Sequence, residues 1–329
     1  MNLPTTYFDS LFDDFGIWQH ADGVRPLPEH GYALDDAARG FIISLALGKH
    51  EQARTLLRYL TLSQKDGRFY GFFNADRQPI QFPASEDATG QVVWAMGYAI
   101  ANNFAVGEAR AIIQNVMPAV QTFTTLRGPV YALLGALYGD AALASELYTK
   151  LIRQFDNLDS DWPWPEKTLT YANGLIPYVL LRYAHLHDDQ RAAETGRNIL
   201  TFLEKVCTTG RMRGPVGNHG WFTRGDPLPA ENGQQPIDVT CMIGAWIAAY
   251  EFSQDLGDLQ QAHAWMKWYE GDNIAHEPMF DPLSGKGFDG IDIGNPDHHT
   301  ASGRNTDSGA ESNICYLMAR YMLTTRTTL

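Results

Sequence analysis

The sequence predicts an all-α chain, an (α/α)6 toroid forming a single domain over residues 1–329, and three observations carry that prediction. Six times a polar turn, in five cases bearing a carboxylate, runs into a long apolar stretch. Between successive apolar stretches lies at most one further helical segment, and that one is amphipathic. The 44% hydrophobic content is spread without a Pro/Ser-rich linker or charge block that would divide it, as one large core requires.

The elements follow in order. Residues 35–47 carry Ala37, Ala38, Phe41, Ile42 and Leu45 around most of the circumference, the mark of a buried inner helix. Residues 51–62 place Ala53, Leu56, Leu57 and Leu60 at helical spacing between Gln52, Arg54 and Arg58, an outer helix. Residues 66–74 read as a loop or short hairpin. The cycle repeats with an inner helix at 87–101 (Val92, Val93, Trp94, Met96) and an outer one at 107–123. A short apolar helix at 129–138 is expected to start on Pro129, and 143–155 is its mixed partner. Residues 169–183 form the fourth inner segment, with Pro177 expected to kink or divide it, and 190–206 the fourth outer helix. Residues 239–252 and 259–269 are the fifth pair and 312–323 the sixth inner helix; residues 7–15 are the candidate for the closing outer helix. Two long irregular segments, 210–236 and 273–307, hold Trp221, Phe222, Phe280 and Phe288 among their Gly, Pro, Asn and His, and are expected to wall a cleft.

Composition removes several classes. A net charge of −13 argues against nucleic acid and anionic membrane surfaces as partners. Cys207, Cys241 and Cys315 are far apart with no C-x-x-C, so neither a thiolate metal site nor a disulfide framework is expected. The first residues lack a basic start and contain Asp9, Asp13 and Asp14, unlike a signal peptide, and there is no apolar run of membrane-spanning length. The expected location is the cytoplasm. No metal or cofactor is expected, and oligomeric state is left open.

The chemistry-bearing residues cluster where inner helices begin. Asp35-Asp36 and Glu86-Asp87 are adjacent acids, and a like charge nearby raises one carboxyl of such a pair, although a helix N-terminus favours the ionised form. Asp238 and Glu311 open the fifth and sixth helices, which adjoin the first two around a ring. The expected catalytic pair is Asp36 or Asp87 with Glu311 or Asp238, since glycoside cleavage needs two carboxyl groups across one bond. The competing reading is ordinary capping: Ser85 before Glu86 is a preferred N-cap, and Ser308-Gly309-Ala310-Glu311 matches a capping box. Expected substrate contacts are Asp35, Glu86, His30, Tyr32 and Gln235, a stacking platform of Trp162 and Trp164 with Glu166, and a glycine-rich loop offering Asn218, His219 and Trp221. Packing of the two indoles over a helix end is the alternative. Arg39, one turn after Asp35 and Asp36, reads as their ion-pair partner. His298-His299 lacks a third ligand at matching spacing.

From about residue 20 to 323 the chain resembles the six-hairpin glycosidase superfamily. His30-Gly31-Tyr32-Ala33-Leu34-Asp35-Asp36-Ala37-Ala38-Arg39 and Ser85-Glu86-Asp87-Ala88-Thr89-Gly90-Gln91-Val92-Val93-Trp94-Ala95-Met96-Gly97 also resemble poorly characterised toroid domains found beside bacterial glycosyltransferase modules, although no Rossmann-type glycine turn is present. The resemblance implies a carbohydrate-active enzyme on an oligosaccharide or glycan, first a glycoside hydrolase with inversion favoured. It equally leaves room for a sugar epimerase or isomerase using histidines such as His30, His219, His276, His298 and His299, for a phosphorylase, and for a non-catalytic glycan-binding module.

Overall fold

A computed structural model describes residues 3–22, 25–295 and 299–329. The chain is mostly helical and divides into two compact units, residues 6–151 and residues 152–329, the latter joined by residues 3–5.

The first unit holds α1 (Thr6–Ser10), α2 (Leu34–Ala46), α3 (His50–Leu62), α4 (Glu86–Ala101), α5 (Val106–Val120), α6 (Arg127–Ala136) and α7 (Ala141–Ile152). The inner and outer types separate as their patterns require. Helix α4 is buried continuously from Ala88 to Ala99, whereas α3 buries only Ala53, Leu56, Leu57, Tyr59 and Leu60. Helix α4 packs between α2 and α6 and is backed by α5. The contact with α6 is unusually close because glycines face it from both sides. A Cβ on Gly97 would stand 2.1 Å from the Gly135 carbonyl oxygen, and one on Gly90 2.4 Å from that of Gly128. Residues 66–74 do form a hairpin: Gln64–Lys65 pairs with Arg68–Phe69 across Asp66 and Gly67, both at positive φ as a tight primed turn demands. Phe72–Phe73 then pairs with Tyr32–Ala33, bracing the start of α2.

The second unit holds α8 (Leu175–His187), α9 (Gln190–Val206), α10 (Pro236–Ser253), α11 (Leu256–Glu270) and α12 (Ala310–Thr325). Helix α10 is central, packed on α8, α11 and α12. Asp189 and Asp255 cap α9 and α11 by accepting from Ala192 N and Gly257 N, each at 2.8 Å.

Four boundary expectations change. Helix α8 begins at Leu175, not 169, because Thr168–Leu169 is drawn into an antiparallel pair with Phe222–Thr223. Pro177 therefore falls in the first turn, where its missing N–H has no intrahelical partner to lose. Helix α6 starts at Arg127, ahead of Pro129, and α10 starts at Pro236. Residues 7–15 yield only the five-residue α1, since Phe12 turns back to bridge Ile17. At α12 the expected capping box from Ser308 shifts by one residue: Gly309 is the N-cap, its N–H donates to Ser312 Oγ at 3.2 Å, and Ser308 precedes the helix. Among the described residues no helix is long and apolar enough to cross a membrane.

Candidate active site

In the first unit the acids stand at the starts of α2 and α4. Gly31 (φ +67) lets the chain pass 2.1 Å, measured from a Cβ it lacks, from the Phe73 carbonyl oxygen, and so sets the angle at which residues 32–36 enter α2. Asp36 is buried and Asp35 half-buried, and Arg39 Nη2 lies between them, 3.0 Å from Asp36 Oδ1 and 3.3 Å from Asp35 Oδ2. The guanidinium is itself buried, so it compensates a carboxylate that could not be taken out of water alone. Asp87 is half-buried and accepts from Thr125 Oγ1 at 3.3 Å. Arg127, also buried, opens α6.

Glu86 is committed elsewhere. Its carboxylate accepts from Thr125 N at 2.7 Å, Thr124 N at 2.9 Å and Thr124 Oγ1 at 3.3 Å. Burial alone would raise its pKa, but the hydrogen bonds from Thr125 and Thr124 outweigh burial and hold it below the usual carboxylate value. Glu86 thus works as a clamp on the turn before α6. Tyr32 is engaged by its own neighbours. It is buried, its hydroxyl donates to Asp13 Oδ2 at 2.7 Å, and its ring stacks on Trp18 at 4.1 Å. His30 is exposed, edge-on to His20 at 4.7 Å.

In the second unit Asp238 and Glu311 stand in the first turns of α10 and α12, which pack directly on each other, with Thr240 Oγ1 donating to the Cys315 carbonyl at 2.9 Å. Asp238 is buried, and Glu311 is half-buried. The loops that precede these helices are knitted together. Gln234 and Ile291 exchange two main-chain hydrogen bonds at 3.0 Å, and Asn232 Oδ1 accepts from Ile293 N at 2.9 Å. Beside this seam His219 Nδ1 lies 3.3 Å from Asp292 Oδ2, with the imidazole 56% exposed and the carboxylate 12%. Asn295 Nδ2 donates to the same Asp292 oxygen at 3.2 Å.

Trp162 and Trp164 do not form an open platform. Trp162 is buried, packed on Phe202 and Phe222 at 5.3 and 5.5 Å, and donates Nε1 to the Glu166 carbonyl at 2.9 Å; Trp164 is 1% exposed. Burial fits the packing alternative, with Glu166 half-buried beside them. Asn218 and Trp221 are half-buried in the loop of His219. Gln235 caps α10 without a side-chain bond, whereas its neighbour Gln234, which sequence reading passed over, is buried and accepts from Trp268 Nε1 at 2.8 Å. His298 lies outside the described residues.

No protein-family model matches the chain, and no curated protein does. Solved structures do. D-mannose isomerase superposes with a TM-score of 0.74 at 12% identity, over 98% of this chain and 95% of that one. A sugar epimerase from a ruminal bacterium gives 0.73 at 10% identity, over 100% and 97%. A cellulase of C. cellulolyticum, solved with cellobiose, gives 0.57 at 12% identity, over 94% and 88%. Identities this low speak for fold and not for activity. The chain has the mostly helical (α/α)6 toroid fold, shared with these solved structures of a D-mannose isomerase, a sugar epimerase and a cellulase.

Proposed function

We propose that this chain is a sugar epimerase or isomerase acting on an aldose, free or at the reducing end of a short oligosaccharide. The observation that carries the reading is the His219–Asp292 pair. A carboxylate at one ring nitrogen fixes the orientation and tautomer of an imidazole and leaves the other nitrogen to exchange protons. Nε2 of His219 takes the proton from the carbon beside the open-chain carbonyl. The enediolate then regains a proton on its opposite face, giving the epimer, or on the adjacent carbon, giving the isomer. The likeness to D-mannose isomerase and the ruminal sugar epimerase, with TM-scores of 0.74 and 0.73 against 0.57 for the cellulase, supports this reading over bond cleavage. Within the second unit, Asp238 and Glu311 are proposed as acids that hold sugar hydroxyls.

A glycoside hydrolase is the second reading, favoured by the carboxylates in the first turns of α2, α4, α10 and α12. One experiment separates the two. Wild type and His219→Asn are incubated in D2O with gluco-, manno- and galacto-configured mono- and disaccharides and followed by NMR and mass spectrometry. The expected result is a new isomer carrying one deuterium beside the carbonyl carbon, made by wild type and lost in the variant. Cleavage without deuterium at that carbon would establish the hydrolase instead, and binding without turnover would leave a glycan-binding module.

A further inference from the structure

In the second unit residues 155–163 run beside α9 and leave a cavity of about 640 Å³ between them. Its helical wall is built from Thr195, Asn198, Phe202 and Lys205, at i, i+3, i+7 and i+10. That line flanks the face of α9 that buries Ala192, Gly196, Ile199 and Leu203 in the core. An amphipathic outer helix ordinarily gives such a flank to solvent. Here the facing segment supplies an opposite wall, to which Phe155, Leu158 and Pro163 contribute the apolar part. These three side chains and Phe202 are half-buried, so the cavity keeps apolar surface open. Among the described residues none of its lining comes from 210–236 or 273–307, the segments that carry His219 and Asp292.

Ligand sites commonly hold about 300–1,000 Å³ and set a few polar groups on an apolar floor, as this cavity does. Ser160, Thr195 and Asn198 offer hydroxyl and amide groups that both donate and accept. Among the described residues none of these three side chains bonds to another residue. The charges at the rim balance. Asp159 Oδ2 lies 2.6 Å and Asp161 Oδ1 3.5 Å from Arg224 Nη2, and Lys205 adds a second cation. Two carboxylates against two cations favour neither an anion nor an amine. Residues 155–163 form no strand whose edge a peptide could extend. A neutral ligand with many hydroxyls and apolar C–H faces matches what remains.

We propose that this cavity is a second saccharide-binding site, holding a short neutral saccharide apart from the His219–Asp292 pair. Asn198 and Thr195 hydrogen-bond sugar hydroxyls, and Phe155 and Phe202 pack against the C–H face of a ring. No bond is made or broken there. The ligand class follows from the lining and does not depend on turnover at His219.

Isoleucine-methyl NMR reads the two sites separately, since Ile199 lines the cavity and Ile293 follows Asp292. Wild type and a Thr195→Ala/Asn198→Ala double variant are titrated with cellobiose, mannobiose and lactose. Alanine is the best helix former, so the variant keeps α9 intact. At least one sugar is expected to shift the Ile199 signal saturably in wild type. The midpoint should rise about tenfold in the variant, the loss of hydrogen bonds of modest net strength, with the Ile293 response unaltered. An Ile199 signal that none of the three sugars moves overturns the proposal; a shift at Ile293 in the same titrations would leave the functional reading standing without it. Equal Ile199 midpoints in wild type and variant also overturn it, because the shift is then transmitted from elsewhere. Stillness at both positions overturns the second site and the functional reading together.

Discussion

Placing a methyl group at Gly97 tests the closeness of α4 and α6 directly. In most helices Gly→Ala is stabilising, by up to about 1 kcal/mol, because alanine is the better helix former and restricts the unfolded chain. Here the new Cβ would meet Gly135 O at 2.1 Å, its C at 2.8 Å and its Cα at 2.9 Å, where ordinary contact begins at 3.4 Å. The obstacle is main chain, which cannot swing aside as a side chain would, so the helices must part by roughly 1 Å within a close-packed interior. Overpacking of this kind costs about 3 kcal/mol at the upper end of its range; set against the propensity gain, about 2 kcal/mol of net destabilisation remains. For a unit of this size that corresponds to a fall in melting temperature of roughly 4–8 °C. Gly107 is the internal control. It lies in α5, has no heavy atom within 4 Å of a built Cβ, and Gly107→Ala is expected to raise the melting temperature by about 2–4 °C. Both are read by circular dichroism melting of the intact chain. A Gly97→Ala protein that melts with or above wild type refutes the argument, because intrinsic propensity would then have won over the helix contact.

Three further outcomes follow from described contacts. Glu86→Ala removes the acceptor for Thr124 and Thr125 and should lower stability by about 1–2 kcal/mol at pH 7 in urea unfolding. Since the folded Glu86 pKa lies below its unfolded value of about 4.3, that contribution is complete above this pH and is lost as pH falls through the folded pKa; the gap between wild type and variant should close below about pH 4. Glu204→Ala strips the shared acceptor from Trp246 Nε1, Trp265 Nε1 and Arg213 Nε, and is expected to cost about 3 kcal/mol and to alter tryptophan emission; an unchanged urea midpoint would contradict this. Cys207 is buried, and burial together with the charges of Asp238 and Glu204 pushes its thiol pKa up, so iodoacetamide at pH 8 should spare it in the folded protein and label it after denaturation, as mass spectrometry would read.

The helical plan was legible because burial on all sides and burial on one side leave different periodicities, as α4 and α3 illustrate. What sequence could not weigh was competition for the same backbone. Leu169 is apolar enough to extend α8, but its main chain is taken by Phe222, more than fifty residues away in sequence. The acids were found because five polar turns carry them, yet their fates diverge through partners that local spacing does not reveal. Arg39 bridges Asp35 and Asp36 at the predicted one-turn interval, whereas Thr124 and Thr125 claim Glu86 from another loop. Tyr32 and the indoles of Trp162 and Trp164 look like ligand surfaces by composition, and only three-dimensional packing shows them filled in. His219 was noticed as a loop histidine; that Asp292 stands beside it depends on two loops meeting, which no motif in either announces.

That meeting has a dynamic consequence. The seam joining Gln234 to Ile291 and Ile291 to Arg304, with Asn232 holding Ile293, ties together two long segments that have almost no regular structure of their own. Neither can lift from the protein without rupturing main-chain bonds of the other, so their fluctuations are coupled into a single cooperative opening. In amide exchange the protons of residues 233, 234 and 291 should therefore report one shared protection free energy in place of the graded values of independent loops. His219 and Asp292 ride on opposite sides of this seam, and their alignment persists for as long as it stays closed.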